Sequence, residues 1–386
     1  MSPTPSDPSG VLERKDLGRL LEALIGAGYR VVGPRVRDGA IVYDELRTEE
    51  DLPIGWRDRQ EAGTYRLERT EDGRVFDFNL GPHSWKKYLF PPHHLLWSTR
   101  KEGNRLQVEP GPTLEDKPLA FLGVRACELA ALQISDRVFQ GGVADPTYRQ
   151  RRSSALVVAV ECSTSAPTCF CPSMRTGPEV TQGFDLSLRE LLSPWGHRFL
   201  VEAATDRGRE ILRHLPLRAG TEEDQGDLDA QRARVRAGIQ RSLPVDEAHD
   251  LLLENLEHPR WEAVGRRCLA CTNCTMACPT CFCSTTEEVP SLSGEASEHF
   301  RRWDSCFNLA FSQLHTISVR SSVSSRYRQW LNHKLGTWWD QFGSSGCVGC
   351  GRCITWCPVG IDLTEELAAL RAKAPPASTA AQGAKA

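Results

Sequence analysis

Two copies of one cysteine spacing constrain this chain more than any other feature. Cys268, Cys271, Cys274 and Cys278 read C-x2-C-x2-C-x3-C-P, and Cys347, Cys350, Cys353 and Cys357 repeat it, each copy followed by a proline, Pro279 and Pro358. Three thiolates two residues apart wrap one corner of a cubane, and the proline turns the chain so that the fourth thiolate points elsewhere. In the bacterial [4Fe-4S] run that fourth cysteine ligates the other cluster. The spacing therefore predicts two [4Fe-4S] clusters, the first on Cys268, Cys271, Cys274 and Cys357 and the second on Cys347, Cys350, Cys353 and Cys278. Zinc ribbons match less well, because they use two separated C-x2-C pairs per ion, whereas here four cysteines fall within eleven residues, twice.

The rest of the composition agrees with a metal-bearing globular protein. Fifteen cysteines occur in 386 residues, and Met1–Gly10 (MSPTPSDPSG) carries neither the basic nor the apolar region of a secretory signal. A cytoplasmic location and metal ligation rather than disulfides are expected. The longest purely aliphatic run, Ala155–Val160, falls far short of the roughly 20 residues of a spanning helix, so no membrane association is expected. A formal net charge of −3 exerts no general pull on nucleic acid.

Along the chain, residues 1–10 read as a disordered leader and 372–386 as a disordered tail. Residues 11–216 alternate helical and extended patterns and predict an α+β or α/β domain. Leu17–Ala27 and Ala126–Phe139 have helical spacing, and Ala40–Leu46, Arg74–Leu80, Leu119–Val124 and Ala155–Val160 read as strands. Charged residues and an apolar stripe at Leu251, Leu252, Leu253 and Leu256 mark 217–266 as a helical connector. Residues 267–371 follow as a mainly helical dicluster, ferredoxin-like domain. The 68 residues between Cys278 and Cys347 (279–346) form a long insertion, with helices expected at His299–Leu314 and Ser324–Phe342.

Seven cysteines lie outside the two runs: Cys127, Cys162, Cys169, Cys171, Cys281, Cys283 and Cys306. The string Pro-Thr-Cys-Phe-Cys occurs twice, at 167–171 and 279–283, once in each half. Cys127 and Cys162 each follow the end of a predicted strand, and neighbouring strand ends of an α/β sheet converge on one site. Cys127, Cys162, Cys169 and Cys171 are therefore candidate ligands of one further iron–sulfur cluster, while Cys281, Cys283 and Cys306 are expected to pack around the other clusters as small hydrophobes. Gly349 and Gly351 leave backbone N–H groups uncovered beside the second run, and Arg352, Arg266 and Arg267 are expected to supply positive charge to the clusters. Arg301, Arg302, Arg320, Arg326 and Arg328 read as a solvated basic face, with a docking surface for an acidic partner as the alternative. Trp330, Trp338, Trp339 and Trp356 are expected to pack around the clusters.

No G-x-G-x-x-G after a strand, P-loop, C-x-x-C-H or G-x-S-x-G is present. Substrate chemistry is therefore expected on another polypeptide, with no catalytic residue here. The string Gly123-Val124-Arg125-Ala126-Cys127-Glu128-Leu129-Ala130-Ala131-Leu132 resembles the signature of the beta, iron–sulfur subunits of soluble nickel–iron hydrogenases, or sulfhydrogenases. Ala126 stands where that signature has proline. Asp51-Leu52-Pro53, Gly81 to Lys86, Leu89 to Pro92, Phe170-Cys171 with Thr176-Gly177-Pro178, Trp303 to Cys306 and Gly346 to Cys353 resemble that family as well. The iron–sulfur subunit of anaerobic sulfite reductase is similar too. The resemblance implies an electron-transfer subunit between a flavin-bearing, NAD(P)-binding diaphorase subunit and the small and large subunits of a hydrogenase, or a sirohaem subunit in the sulfite reductase case. A self-sufficient reductase using Cys127 and Arg125, and a redox-sensing module, are the competing readings.

Overall fold

The computed structural model describes residues 9–79, 81–111 and 117–372. A seven-stranded mixed sheet organises the first half, in the order Ser9–Glu13, Gly196–Ala203, Leu186–Ser193, Leu156–Val160, Leu119–Val124, Arg30–Arg37, Ala40–Glu45. The four strands from Leu186–Ser193 to Arg30–Arg37 are parallel neighbours, and the outer pairings are antiparallel. Leu156–Val160 is buried at every residue, the pattern of a strand covered on both faces. Leu17, Leu20, Leu21 and Leu24 of the helix Leu17–Gly26 recur at helical spacing and pack on one face of the sheet. Leu129 and Leu132 of the helix Ala126–Gln140 pack with Phe121 and Val157 on the other.

Three helices, Glu222–Gly238, Val245–Glu254 and Arg260–Arg267, lead into the cysteine-rich half. Its core gathers Leu252, Trp261, Val264, Tyr327, Trp330, Leu331 and Leu335 with Leu367 of the helix Leu363–Arg371. The expected helix at Ser324–Phe342 is present as Val323–Asn332, a π-helical stretch His333–Thr337 and Trp338–Phe342. No helix among the described residues is long and apolar enough to cross a membrane.

Four expectations are corrected. His299–Leu314 is not a helix: Ala296–Trp303 is a strand, followed by a short 3-10 turn and Gln313–Leu314. It pairs with Ser284–Pro290 on one side and His93–Glu102 on the other, and Arg105–Pro110 completes a four-stranded sheet. The insertion between the cysteine runs is therefore part strand, and its sheet joins residues from both halves of the chain. Arg74–Asn79 forms no strand, because Val75 and Phe76 donate their N–H groups to the buried Glu190 carboxylate at 2.6 and 2.7 Å; Leu80 lies outside the described residues. Ser9 and Gly10 of the expected leader pair with Glu202 and Val201. Residues 1–8 and 373–386 lie outside the described residues.

Candidate iron–sulfur centre

The two cysteine runs fold into the same local structure. The second residue after the first cysteine has positive φ in both, +50° at Ala270 and +65° at Gly349, as does the residue after the second cysteine, +70° at Thr272 and +74° at Gly351. A one-turn helix then begins at the same offset, Asn273–Met276 and Arg352–Thr355. In each loop a backbone N–H donates to the first thiol, from Ala270 to Cys268 Sγ and from Gly349 to Cys347 Sγ, both at 3.4 Å. Left-handed backbone costs a non-glycine residue about 1–2 kcal/mol, which the first loop accepts twice. Glycine is required in the second loop by packing. A Cβ on Gly349 would lie 2.6 Å from the Cys171 nitrogen, and one on Gly351 would lie 2.4 Å from the Thr168 carbonyl oxygen.

Cys268, Cys271, Cys274 and Cys357 line one cavity, whose wall Cys353 of the second set also reaches, with about 460 Å³ free of protein atoms including its open mouth. Tyr327 and Trp330 line it too, and their buried Oη and Nε1 atoms find no hydrogen-bond partner in the protein. Sulfur-rich cargo in that cavity would supply acceptors, so the donor set fits an iron–sulfur cluster. Burial raises the Cys274 thiol well above its usual range, reinforced by Cys268, Cys357 and Cys271. Burial likewise raises Cys268, and the Ile361 N–H donates to Cys357 Sγ at 3.3 Å.

The second set is drier. Cys347 and Cys278 are each 9 % exposed. Burial pushes the Cys347 thiol up to about 12 and raises Cys350, and it lifts Cys353 well above the usual range with help from Cys347, Cys350 and Cys278. Cys278 alone is moved well below its usual range, by a hydrogen bond from Cys281 and then by the Lys334 ammonium. Lys334 Nζ donates to Cys278 Sγ at 3.3 Å. Thiolate ligation of a metal would release these thiol protons, which couples occupancy to pH. Among the described residues no three Cys, His, Asp or Glu side chains stand close enough to grip a single ion.

The remaining candidate thiols sit against the second run. Cys127 opens the helix after the strand Leu119–Val124, and Cys162 lies just past the neighbouring parallel strand Leu156–Val160, so both stand at one edge of the sheet. The Phe170 N–H donates to the Gly349 carbonyl at 2.9 Å, and the Thr176 hydroxyl donates to the Val348 carbonyl at 2.7 Å. A Cβ on Gly177 would lie 3.4 Å from Cys171 Sγ and 3.7 Å from the Cys127 nitrogen. Burial raises all four thiols, Cys169 to about 12, and Cys350 adds to the shift at Cys127, Cys169 and Cys171.

Arg125 and Glu128 of the same signature are structural. Arg125, 1 % exposed, donates to the carbonyls of Phe76, Phe78 and Glu161 at 2.8, 2.9 and 3.0 Å, which closes it to any substrate. Glu128 accepts from Tyr43 Oη at 2.7 Å and Trp85 Nε1 at 3.0 Å, and it pairs with Arg352 of the second run. The Arg352 charge is thus partly answered by a carboxylate, although it still lowers the Cys350 thiol against its burial. Arg267 is taken up by Glu366, and Arg266 is exposed. The supposed basic face is dispersed: Arg301 pairs with Asp145, Arg302 with Glu287 and Arg328 with Glu257. Trp330 and Trp338 are buried as expected, while Trp339 is 37 % exposed and Trp356 stacks on Tyr65.

Sequence reasoning missed the lysines. Lys334 continues the apolar spacing Trp330–Lys334–Trp338, a core position that would have marked it. Lys86, also buried, donates to the Cys281 carbonyl at 2.8 Å and lies 3.9 Å from the centre of the Trp303 ring. Cys283 and Cys306 share a hydrogen bond that lowers Cys283 to about 7 and raises Cys306.

A family model matches at this point of the chain. Residues 267–361 are a 4Fe-4S dicluster domain. The chain is also 28 % identical, over 321 residues, to sulfhydrogenase 2 subunit beta of Pyrococcus furiosus, an alignment that covers 80 % of this chain and 89 % of that protein. The resemblance of the signature strings thus extends over most of the length, consistent with an iron–sulfur hydrogenase beta subunit. No solved structure matches.

Proposed function

We propose that this chain is the iron–sulfur electron-transfer subunit of a sulfhydrogenase-like oxidoreductase in the cytoplasm, relaying electrons between a flavin-bearing, NAD(P)-binding subunit and a nickel–iron hydrogenase module. The observation that carries the reading is the pair of matching cysteine loops, with identical N–H to sulfur bonds, inside a dicluster domain. Each set of four thiolates would hold one [4Fe-4S] cluster, and the clusters supply reversible one-electron transfer. The protein's own residues supply the rest. Ala270, Gly349 and Ile361 donate backbone N–H groups to ligand sulfurs, Trp330, Tyr327 and Phe307 exclude water, and the Glu128–Arg352 pair clamps the second loop against the sheet domain. Cys127, Cys162, Cys169 and Cys171 are proposed to hold a further cluster beside the second.

Iron analysis of anaerobically purified chain tests this. About eight irons support the two runs alone, about twelve add the site on Cys127, Cys162, Cys169 and Cys171, and a colourless or zinc-only protein overturns the reading. Cys350→Ser should abolish one electron paramagnetic resonance signal of the reduced protein. An unchanged spectrum would refute the ligand assignment.

A further inference from the structure

Resting on the dicluster reading above, we propose that Lys334 is a positioning residue for electrons: its ammonium holds the second cluster at a higher reduction potential than the first. Lys334 is 3 % exposed. Its three donors are directed at Cys278 Sγ at 3.3 Å, Thr280 Oγ1 at 3.1 Å and the Gly346 carbonyl at 3.1 Å. The π-helical stretch His333–Thr337 carries it, inside an otherwise α-helical segment whose neighbouring apolar positions, Trp330 and Trp338, are core. Such π-helical insertions occur frequently at functional sites.

Among the described residues no carboxylate pairs with Lys334. A buried ammonium is stabilised by a counter-charge, and the one anion-forming group that Lys334 bonds is Cys278, assigned to the second set. No cation among the described residues donates to a sulfur of the first set, although the Arg326 charge opposes the effect of burial at Cys268. The sulfurs of this set accept from the neutral N–H groups of Ala270 and Ile361, and Cys271 is exposed to water. The nearby Arg326 gives its hydrogen bonds to the carbonyls of Phe307 and Ser322.

Positive charge at a ligand sulfur favours the form of the cluster that carries the extra electron. One electron moves between the two centres, no bond forms or breaks, and no proton is transferred. With Lys334 in place the equilibrium lies toward the second cluster, on the side of the sheet domain and its remaining thiols.

The test is a redox titration followed by electron paramagnetic resonance on the full, iron-loaded chain, with the second cluster identified as the signal lost in Cys350→Ser. Lys334→Met should shift the one-electron equilibrium toward the first cluster about tenfold, a fall of about 59 mV at the second cluster, with the first unchanged. Lys334→Arg should keep most of the wild-type value. An unchanged or raised second potential in Lys334→Met overturns the inference. So does selective loss of the second signal in both Lys334→Met and Lys334→Gln, which would make Lys334 part of the frame and not of the potential. Absence of both signals from the wild type would instead refute the dicluster reading itself.

Discussion

Replacing Glu128 by glutamine removes one negative charge from the interior without changing shape. The Glu128 and Arg352 side chains are 1 % and 0 % exposed, so neither charge can be recovered by water. The amide of the Glu128→Gln variant would retain an oxygen for Tyr43 and Trp85, and Arg352 would keep the carbonyls of Gly81 and His83 at 3.0 and 2.8 Å. What is lost is the countercharge together with the hydrogen bond from Arg352 Nη2, since the amide nitrogen would face that donor, and leaving a buried ion uncompensated costs about 3–5 kcal/mol. Even the lower figure raises the unfolded fraction more than a hundredfold, since about 1.4 kcal/mol is a factor of ten. Anaerobic urea unfolding of Glu128→Gln, Arg352→Met and the double variant, followed by circular dichroism, measures this. Both single variants should be strongly destabilised, and the double variant should lie closer to wild type than Glu128→Gln. A loss below about 1 kcal/mol for Glu128→Gln, the scale of an exposed pair, would refute the claim that this contact clamps the second loop to the sheet domain.

Gly349→Ala should cost at least the about 1–2 kcal/mol of left-handed backbone plus the clash with Cys171, whereas Gly343→Ala, at φ +66° with open space around it, should cost only the backbone term; thermal unfolding separates them. Burial, and then Lys87, lowers His83 from 6.5 to about 4. The unfolded chain therefore takes a proton below pH 6.5 that the folded chain refuses until about pH 4, so this contribution is full above 6.5 and lost across that window. His83→Gln should flatten the acid limb of a stability–pH curve there, and an unchanged slope would count against it. Stripping the iron with a chelator should melt helix in residues 267–371 while the seven-stranded sheet persists, as read by hydrogen exchange; uniform loss of protection would contradict that.

The dicluster domain was legible because each cysteine run is contained within eleven residues, and the parallel strands because LAFLGV and LVVAV are apolar throughout. What escaped depends on distant partners. Arg74–Asn79 has strand composition, but its N–H groups are met by Glu190, more than a hundred residues away. HFRRW alternates well enough for a strand, but what makes it one is the edge offered by the distant His93–Glu102. The pairing of Glu128 with Arg352 spans the chain and leaves no local trace. Lys334 is a charged residue at a core position of a tryptophan-rich helix, and its partner Cys278 lies far from it in sequence.

The four-stranded sheet has a consequence for how such a carrier is inherited. Ala296–Trp303 lies between the two cysteine runs, yet one of its hydrogen-bonded neighbours, His93–Glu102, belongs to the other half of the polypeptide. Cutting the chain at its helical link would leave each fragment with an open strand edge and a missing partner, a ready template for aggregation. Unlike a free-standing ferredoxin, the cysteine-rich half of this chain borrows a strand from the other half.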